Sequence, residues 1–123
     1  MTPEQIELGR IALAEFEGYE WTNIKTEPIK NANRYYWISP EGLTYAKCPH
    51  YINNLNAIHE VEKKIFNDAV ICANYLKELK NIVAETAPWD SLLLMTAMLH
   101  ATALQRFTAL LHTIGKYDEV MKG

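Results

Sequence analysis

The sequence predicts an α+β fold: an N-terminal helix, a small antiparallel sheet with a hairpin, then two or three long helices packed on it. Three observations lead to this prediction. The chain opens with a helix-capping pattern, becomes rich in aromatic and β-branched residues from Tyr19 to Ala46, and then shows a helical hydrophobic period over most of its remainder. Its 123 residues suffice for one core, so we expect a single domain over 1–123.

The first helix is predicted from the segment Thr2-Pro3-Glu4-Gln5. A threonine hydroxyl can cap the helix, proline suits the first helical position, and a glutamine three residues after the cap can bond back to it. We therefore place this helix from about Pro3 to Glu17, with Gly18 adopting the left-handed conformation that ends it.

A β-hairpin is predicted from the segments "RYYWI" and "LTYA". Between them lies Ser39-Pro40-Glu41-Gly42, with proline and glycine where a tight turn favours them. Tyr19 to Ile24 is a candidate third strand. The polar stretch "KTEPIKNAN" that follows is long enough to form a mobile loop, and such a loop could close over a ligand.

Helices are predicted again after Cys48-Pro49, because apolar residues recur at helical spacing behind Asn53 or Asn54, either of which can cap. One helix over 53–85, or two joined at Asn67-Asp68, both fit the pattern. A last helix is expected from Asp90 or Ser91 to about Ile114, with Gly115 as its C-cap.

Charge and composition narrow the classes of partner. Twelve basic and fifteen acidic residues give a net charge of −3, and no basic run is dense enough for duplex DNA. The chain shows neither a membrane-length apolar stretch nor a signal-peptide pattern, so we expect a cytoplasmic protein that does not bind membranes. The spacing of Cys48 and Cys72 implies neither a disulfide nor a metal pair, so both are expected to be free thiols.

Signatures of catalysis are scarce. His59-Glu60 lacks the second histidine of a metalloprotease helix, and the sequence contains neither a glycine-rich phosphate loop nor a nucleophile elbow. The triplet Cys48-Pro49-His50 could supply a thiolate and an imidazole, but without further partners it is weak support for a metal or a nucleophile. We therefore expect no enzyme activity, no cofactor and no metal.

Polar side chains in the last predicted helix are candidates for ligand binding. On one continuous helix, Gln105 and Arg106 flank a stripe of small residues, Thr102 and Ala109, which would let another helix or subunit approach. His100 falls on the opposite side and should point into the core or a pocket, held there by a local hydrogen bond or a ligand. Arg106 fits either a salt bridge or a ligand phosphate.

Aromatic residues of the predicted sheet form the second group of candidates. Trp21, Tyr35 and Trp37 could stack on a nucleobase, with Arg34 as a further phosphate partner, or they could simply cover the helices. Because side chains alternate along a strand, Tyr35 and Trp37 face one side and Tyr36 and Ile38 the other. In a single-layered sheet only one of these pairs can lie in the core.

Two segments carry a resemblance to known proteins. "PHYINNLNAIHEVEKKI" and "LHATALQRFTALLHTIGKYDE" resemble the helix starts "P-x-Y…L-N-A-M-H-E-A-E-K" and "H-A-T-A-A-Q-R-A-E-A", the latter ending in "G-K-W", of small phage and prophage proteins of the ABA-sandwich type. "EFEGYEW" near the N-terminus is also similar, so the likeness extends over most of the chain. Departures at Leu104, Phe107 and Tyr117 are mild. The matching positions add Tyr51 and His59 to the candidate residues.

The resemblance extends to the anti-Thoeris sponges, which implies a phage anti-defence protein that sequesters a nucleotide-derived immune signal without cleaving it. The ligand would be a glycocyclic ADP-ribose isomer or a cyclic oligonucleotide, and the protein a homo-oligomer in the infected bacterial cell. The candidate ligand-binding residues are Trp21, Arg34, Tyr35, Trp37, Tyr51, His59, His100, Gln105 and Arg106. The alternative is a phage accessory protein or inhibitor that docks on a host protein through its aromatic hairpin.

Overall fold

The computed structural model describes residues 1–25, 33–45, 47–85 and 91–122; within these ranges, the side chains of residues 22–25, 33–36 and 91 are not described. The fold is α+β, with an N-terminal helix, a three-stranded antiparallel sheet and then several packed helices. The elements are α1 (Pro3–Glu17), β1 (Glu20–Lys25), β2 (Asn33–Ile38), β3 (Thr44–Tyr45), α2 (Leu55–Phe66), α3 (Ala69–Ala84), α4 (Ser91–Leu99), α5 (Ala103–Thr113) and α6 (Tyr117–Lys122). This arrangement confirms the predicted fold class.

Helix α1 has the predicted ends. The Thr2 hydroxyl accepts a hydrogen bond from the Gln5 amide, and the Gln5 side chain accepts one from the Thr2 amide, which completes the capping box. Gly18 ends the helix with φ +100°, a backbone conformation that residues with a side chain rarely adopt.

The sheet contains the predicted hairpin and the third strand. Its order is β1-β2-β3, with Trp21 opposite Trp37 and Trp37 opposite Tyr45. These three residues occupy directly paired positions and therefore share one face. In the turn, Ser39 Oγ accepts a hydrogen bond from the Leu43 amide, and Gly42 takes φ +87°. Most of the predicted polar loop, 26–32, lies outside the described residues.

The structure shows whether residues 53–85 form one helix or two, which the sequence leaves open. Asn54 caps α2, and Asp68 caps α3 by accepting hydrogen bonds from the amides of Val70 and Ile71. The segment is therefore two helices joined at Asn67-Asp68.

The predicted last helix is wrong as a single element. It ends at Leu99 and a new helix starts at Ala103, because the Thr102 hydroxyl accepts from the Gln105 amide while the Gln105 side chain accepts from the Thr102 amide. This second capping box satisfies the donors at the start of α5, which makes the break favourable. The predictions of which side chains share one side of the helix assumed a continuous helix over 90–114, and they therefore do not hold.

A short helix, α6, follows α5 and was not predicted. Gly115 takes φ +74°, and the amides of Gly115 and Lys116 bond to the carbonyls of His112 and Leu111, which closes α5. From α6, Val120 is buried in the main core.

The core consists of two clusters of unequal size. The larger is built by α1, the 51–52 turn and helices α2 to α6, and none of its members among the described residues comes from the sheet. In it, α1 lies so close to α5 that a Cβ on Gly9 would come within 2.5 Å of Phe107 Cζ. Ala109 of the predicted small-residue stripe is fully buried there and packs within the chain, so of the two alternatives, another helix or another subunit, this residue shows the helix. Thr102 of the same stripe is exposed. The smaller cluster, Ala14, Trp37 and Cys48, joins the sheet to α1.

No helix in the described ranges is long and apolar enough to cross a membrane. Both cysteines are free thiols, as predicted, with Cys48 buried and Cys72 half-buried.

Candidate functional site

Two tryptophans form an aromatic wall between α1 and the sheet. Trp21 and Trp37 are paired across β1 and β2, and their ring centroids lie 5.1 Å apart at an interplanar angle of 50°. Trp37 is 7% exposed and packs near Ala14 and Cys48, whereas Trp21 is 52% exposed. The buried ring of Trp37 can therefore fix the position of the pair, while the exposed ring of Trp21 is accessible to a ligand.

Side chains of α1 complete a groove over this wall. Glu7, Ile11 and Glu15 are spaced four residues apart and so lie on the same side of the helix. Together with Trp21, Trp37 and Lys47 they enclose about 320 Å³, which we call the tryptophan groove. Its aromatic rings can stack on a flat ligand, its carboxylates can accept hydrogen bonds from amino or hydroxyl groups, and Lys47 supplies one positive charge.

Arg10 fixes the chain beside this groove. It is 6% exposed, and it donates hydrogen bonds to the Pro49 carbonyl at 3.0 Å, to the Cys48 carbonyl, and to Glu7 Oε2 at 2.7 Å. These bonds hold the segment after Lys47 against α1 and orient one carboxylate of the groove. Arg10 is not among the candidates predicted from the sequence, because its buried role depends on carbonyls 38 and 39 residues away.

A second polar cluster lies within the helices. Its central residue, Glu62, is 3% exposed. We call the set of His59, Glu62, Tyr75 and Arg106 the Glu62 cluster. Arg106 donates to Glu62 Oε2 at 2.8 Å, the buried Tyr75 hydroxyl donates to the same oxygen, and His59 Nδ1 lies 2.6 Å from Oε1. Burial and the hydrogen bond to Glu62 raise the pKa of Tyr75, so the phenol keeps the proton that it donates.

Arg106 also binds the C-terminal end of α4. Its remaining contacts are to the carbonyls of Ala101, Met98 and Leu99 at 3.1 to 3.3 Å. Of the two uses that the sequence left open, the structure therefore shows the salt bridge. The guanidinium is largely occupied by protein acceptors, and it lies outside the tryptophan groove.

The expected orientation of His100 is wrong. This residue is exposed and lies in the turn between α4 and α5, because the helix ends at Leu99. Gln105 is half-buried, and its side-chain oxygen is used in the α5 capping box. Neither side chain lines the tryptophan groove.

Tyr51 is fully buried and donates a hydrogen bond from its hydroxyl to Glu17 Oε1 at 2.6 Å. Burial raises the pKa of Glu17, an effect that the hydrogen bond from Tyr51 and the charge of Lys64 partly oppose. Its ring also lies near Phe107, with the centroids 6.5 Å apart. The contacts of Tyr51 thus place it in the helical core.

Three candidates remain: His59, Arg34 and Tyr35. The side chain of His59 is 51% exposed and interacts with Glu62. Arg34 and Tyr35 lie in β2, opposite Ile24 and Asn23, but their side chains are outside the described part of the chain. Of the seven candidates whose side chains are described, the structure brings only Trp21 and Trp37 together in the tryptophan groove.

Within the described ranges, no group of three histidine, cysteine or acidic side chains is arranged to hold a metal ion. Cys48, considered as a thiolate, is 2% exposed, and burial raises the pKa of its thiol. A raised pKa favours the thiol, which is the unreactive form.

No protein-family model, curated protein or solved structure matched this chain. The resemblance to small phage proteins therefore remains a hypothesis from the sequence motifs.

Proposed function

We propose that this protein binds a nucleotide-like small molecule in the tryptophan groove and sequesters it without cleaving it. The observation that carries the proposal is the pairing of Trp21 with Trp37 under the carboxylates of α1 and beside Lys47. A base can stack on Trp21, its amino group or the ribose hydroxyls can donate to Glu7 or Glu15, and a phosphate can face Lys47.

Size and charge restrict what the groove accepts. Its volume of about 320 Å³ is at the lower end for small-molecule sites, so it suits the base and ribose rather than a whole dinucleotide. With two carboxylates and one lysine, it offers more acceptors than positive charges. In this proposal the phosphates therefore lie towards solvent, and Arg106 has no part in binding them.

The biological context rests on the sequence motifs. We infer this context from the resemblance of the motifs to those of anti-Thoeris sponges, so the proposed ligand is a nucleotide-derived bacterial immune signal, such as a glycocyclic ADP-ribose isomer or a cyclic oligonucleotide. A sponge acts by stoichiometric binding, which requires affinity but no catalytic group.

The first experiment is a thermal-shift assay with cyclic ADP-ribose isomers, cyclic oligonucleotides and adenosine, followed by heat denaturation and mass spectrometry of the released ligand. Recovery of an intact ligand that raised the Tm supports sequestration. Release of a cleaved product indicates an enzyme, and the absence of any shift contradicts the proposal.

Variants of the groove test where the ligand sits. Trp21→Ala should abolish the ligand-induced rise in Tm, because the exposed ring provides the stacking surface. Tyr45→Ala is the matched control: this aromatic residue is 42% exposed but does not line the groove. Lys47→Ala should weaken a nucleotide about tenfold more than the nucleoside, as expected for one charge-assisted contact.

A second candidate function, docking on a host protein, is favoured by the exposed apolar residues of the hairpin. Leu43 is 58% exposed in the hairpin turn, and Tyr45 is 42% exposed on β3, opposite Trp37. In this case Leu43→Asp should abolish binding to the host protein without changing any nucleotide-induced shift in Tm.

A further inference from the structure

A second groove adjoins the tryptophan groove along α1. It encloses about 370 Å³ between α1 and residues 116–120, where the chain enters α6, and we call it the α1–α6 groove. Ile11 and Glu15 line both grooves, so the two recesses meet on the same part of one helix. A ligand that is long enough can therefore extend from one groove into the other.

The spacing of residues on α1 fixes how the two grooves are arranged. Glu7, Ile11 and Glu15 form the row that faces the tryptophans. Leu8 and Ala12, which line only the α1–α6 groove, form the next row, about 100° further around the helix. A ligand that fills both grooves must therefore bend around one side of α1, which requires two units joined by a flexible linker.

The α1–α6 groove is apolar at its base and charged at its rim. Leu8, Ala12 and the buried Val120 supply the apolar surface, on which the flat face of a ring can lie. Lys116 and Glu119 form an exposed ion pair at 3.1 Å on the rim. Exposed pairs of this kind contribute little to stability, so Lys116 can exchange its partner for a ligand phosphate at small cost.

We propose that the α1–α6 groove is a second subsite of the tryptophan groove, and that the ligand is a dinucleotide with two bases rather than an ADP-ribose isomer with one. This inference rests on the proposed function. One base stacks on Trp21, and the other lies against Leu8 and Ala12. Glu15 borders both grooves, so the ribose hydroxyls of either unit can donate to its carboxylate.

Charge favours a ligand that carries more than one phosphate. Each groove has one lysine, Lys47 in the tryptophan groove and Lys116 in the α1–α6 groove. The carboxylates along α1 repel phosphates from the base of the grooves, but lysine side chains are long enough to reach a linker on the solvent side. A mononucleotide can use one of these lysines, whereas a dinucleotide can use both.

The test compares three probes on the full chain by titration calorimetry: adenosine 5′-monophosphate, cyclic ADP-ribose and di(adenosine-5′) pyrophosphate. Of these, the third alone carries two bases. We expect it to bind at least about tenfold more tightly than either of the others, because binding of the first base makes binding of the second intramolecular.

Two variants of the α1–α6 groove locate the second base. Lys116→Ala and Leu8→Glu should each weaken binding of the dinucleotide about tenfold and leave the affinity for the monophosphate unchanged, because both residues line only this groove. Leu8 is 40% exposed, so the change to glutamate is compatible with the fold, and Leu8→Ala is a milder second variant. Lys122→Ala is the matched control, since this lysine is exposed on α6 but lines neither groove.

The possible outcomes distinguish this proposal from the proposed function. Equal affinity for one-base and two-base probes overturns the second subsite, as does a dinucleotide advantage that persists in the folded Lys116 and Leu8 variants. Either result leaves the tryptophan groove as a nucleotide site, provided that Trp21→Ala abolishes binding of the monophosphate. Failure of all three probes to bind the unmodified protein contradicts both proposals.

Discussion

Glu62 shows how a single buried charge organises its surroundings. A carboxylate that is 3% exposed is costly unless donors surround it, and here arginine, tyrosine and histidine all face it. Arg106 links this carboxylate to the last carbonyls of α4, so one side chain ties α2 to the α4–α5 turn. The residue that suggested phosphate binding thus has a structural role.

Replacing Arg106 with alanine should lower the free energy of unfolding by about 3 to 5 kcal/mol, because Glu62 would remain buried without its cation. Chemical denaturation in the absence of ligand measures the loss. His100→Ala serves as the control from the neighbouring turn, with an expected effect within about 0.5 kcal/mol because this side chain is exposed. Equal effects of the two substitutions would contradict the role assigned to Arg106.

Glu17 should make stability depend on pH. Its pKa is raised above the usual 4.5, chiefly by burial, so the native state binds this proton more tightly than the unfolded state does. The contribution to stability is fully present below about pH 4.5 and is lost as the pH rises through the raised pKa.

Glu17→Gln removes this titration, so the difference in unfolding free energy between the variant and the parent should shift in favour of the variant as the pH rises from 4 to 7. Tyr51→Phe removes the hydrogen bond that lowers the pKa of Glu17, and should move the transition to higher pH. Denaturation curves across this range measure both effects. A flat difference for Glu17→Gln would show that its pKa is not raised.

At the scale of elements, helix ends determine how the chain is divided. The capping boxes of α1 and α5 have the same pattern, threonine followed three residues later by glutamine. The sequence analysis predicts only the capping box of α1. Apolar residues continue at helical spacing on both sides of His100, so the pattern favours an unbroken helix there over a new helix start at Thr102.

Thr102→Ala should destabilise the protein by about 1 kcal/mol, because the Gln105 amide loses the hydroxyl that caps α5. Thr108→Ala, in the same helix, is the control: its hydroxyl bonds to the Leu104 carbonyl four residues earlier, an acceptor that the helix already uses. A comparison of melting curves distinguishes the two, and a neutral Thr102→Ala would contradict the importance of this cap.

At the scale of the whole molecule, the contact between the sheet and the helices is small among the side chains that the structure describes. No described strand residue belongs to the larger core, whereas Trp37 packs with Ala14 and Cys48 in the smaller one. Opening of the sheet can therefore require less free energy than unfolding of the helices. The tryptophan groove lies at this same junction, so ligand binding should stabilise it.

Trp37→Ala should accelerate hydrogen exchange in β1 and β2, with a loss of about 3 to 5 kcal/mol in the free energy of sheet opening. Exchange in α3 and α5 should change much less. Tyr45→Ala, on the same face but half-exposed, is the control. Uniform acceleration along the chain would show instead that the sheet and the helices unfold as one unit.

The sequence by itself determined the α+β class, both ends of α1, the hairpin and its turn, and two free thiols, because caps, turn residues and alternation are properties of adjacent residues. Tertiary structure decided the break before Thr102, the surface position of His100 and the burial of Arg10, Glu62 and Arg106. It also selected Trp21 and Trp37 from the seven candidates whose side chains are described. The buried positions of Arg10, Glu62 and Arg106 depend on partners up to 44 residues away in the chain, which local patterns cannot identify. The cap at Thr102 is a local pattern, but the apolar period around it hides it.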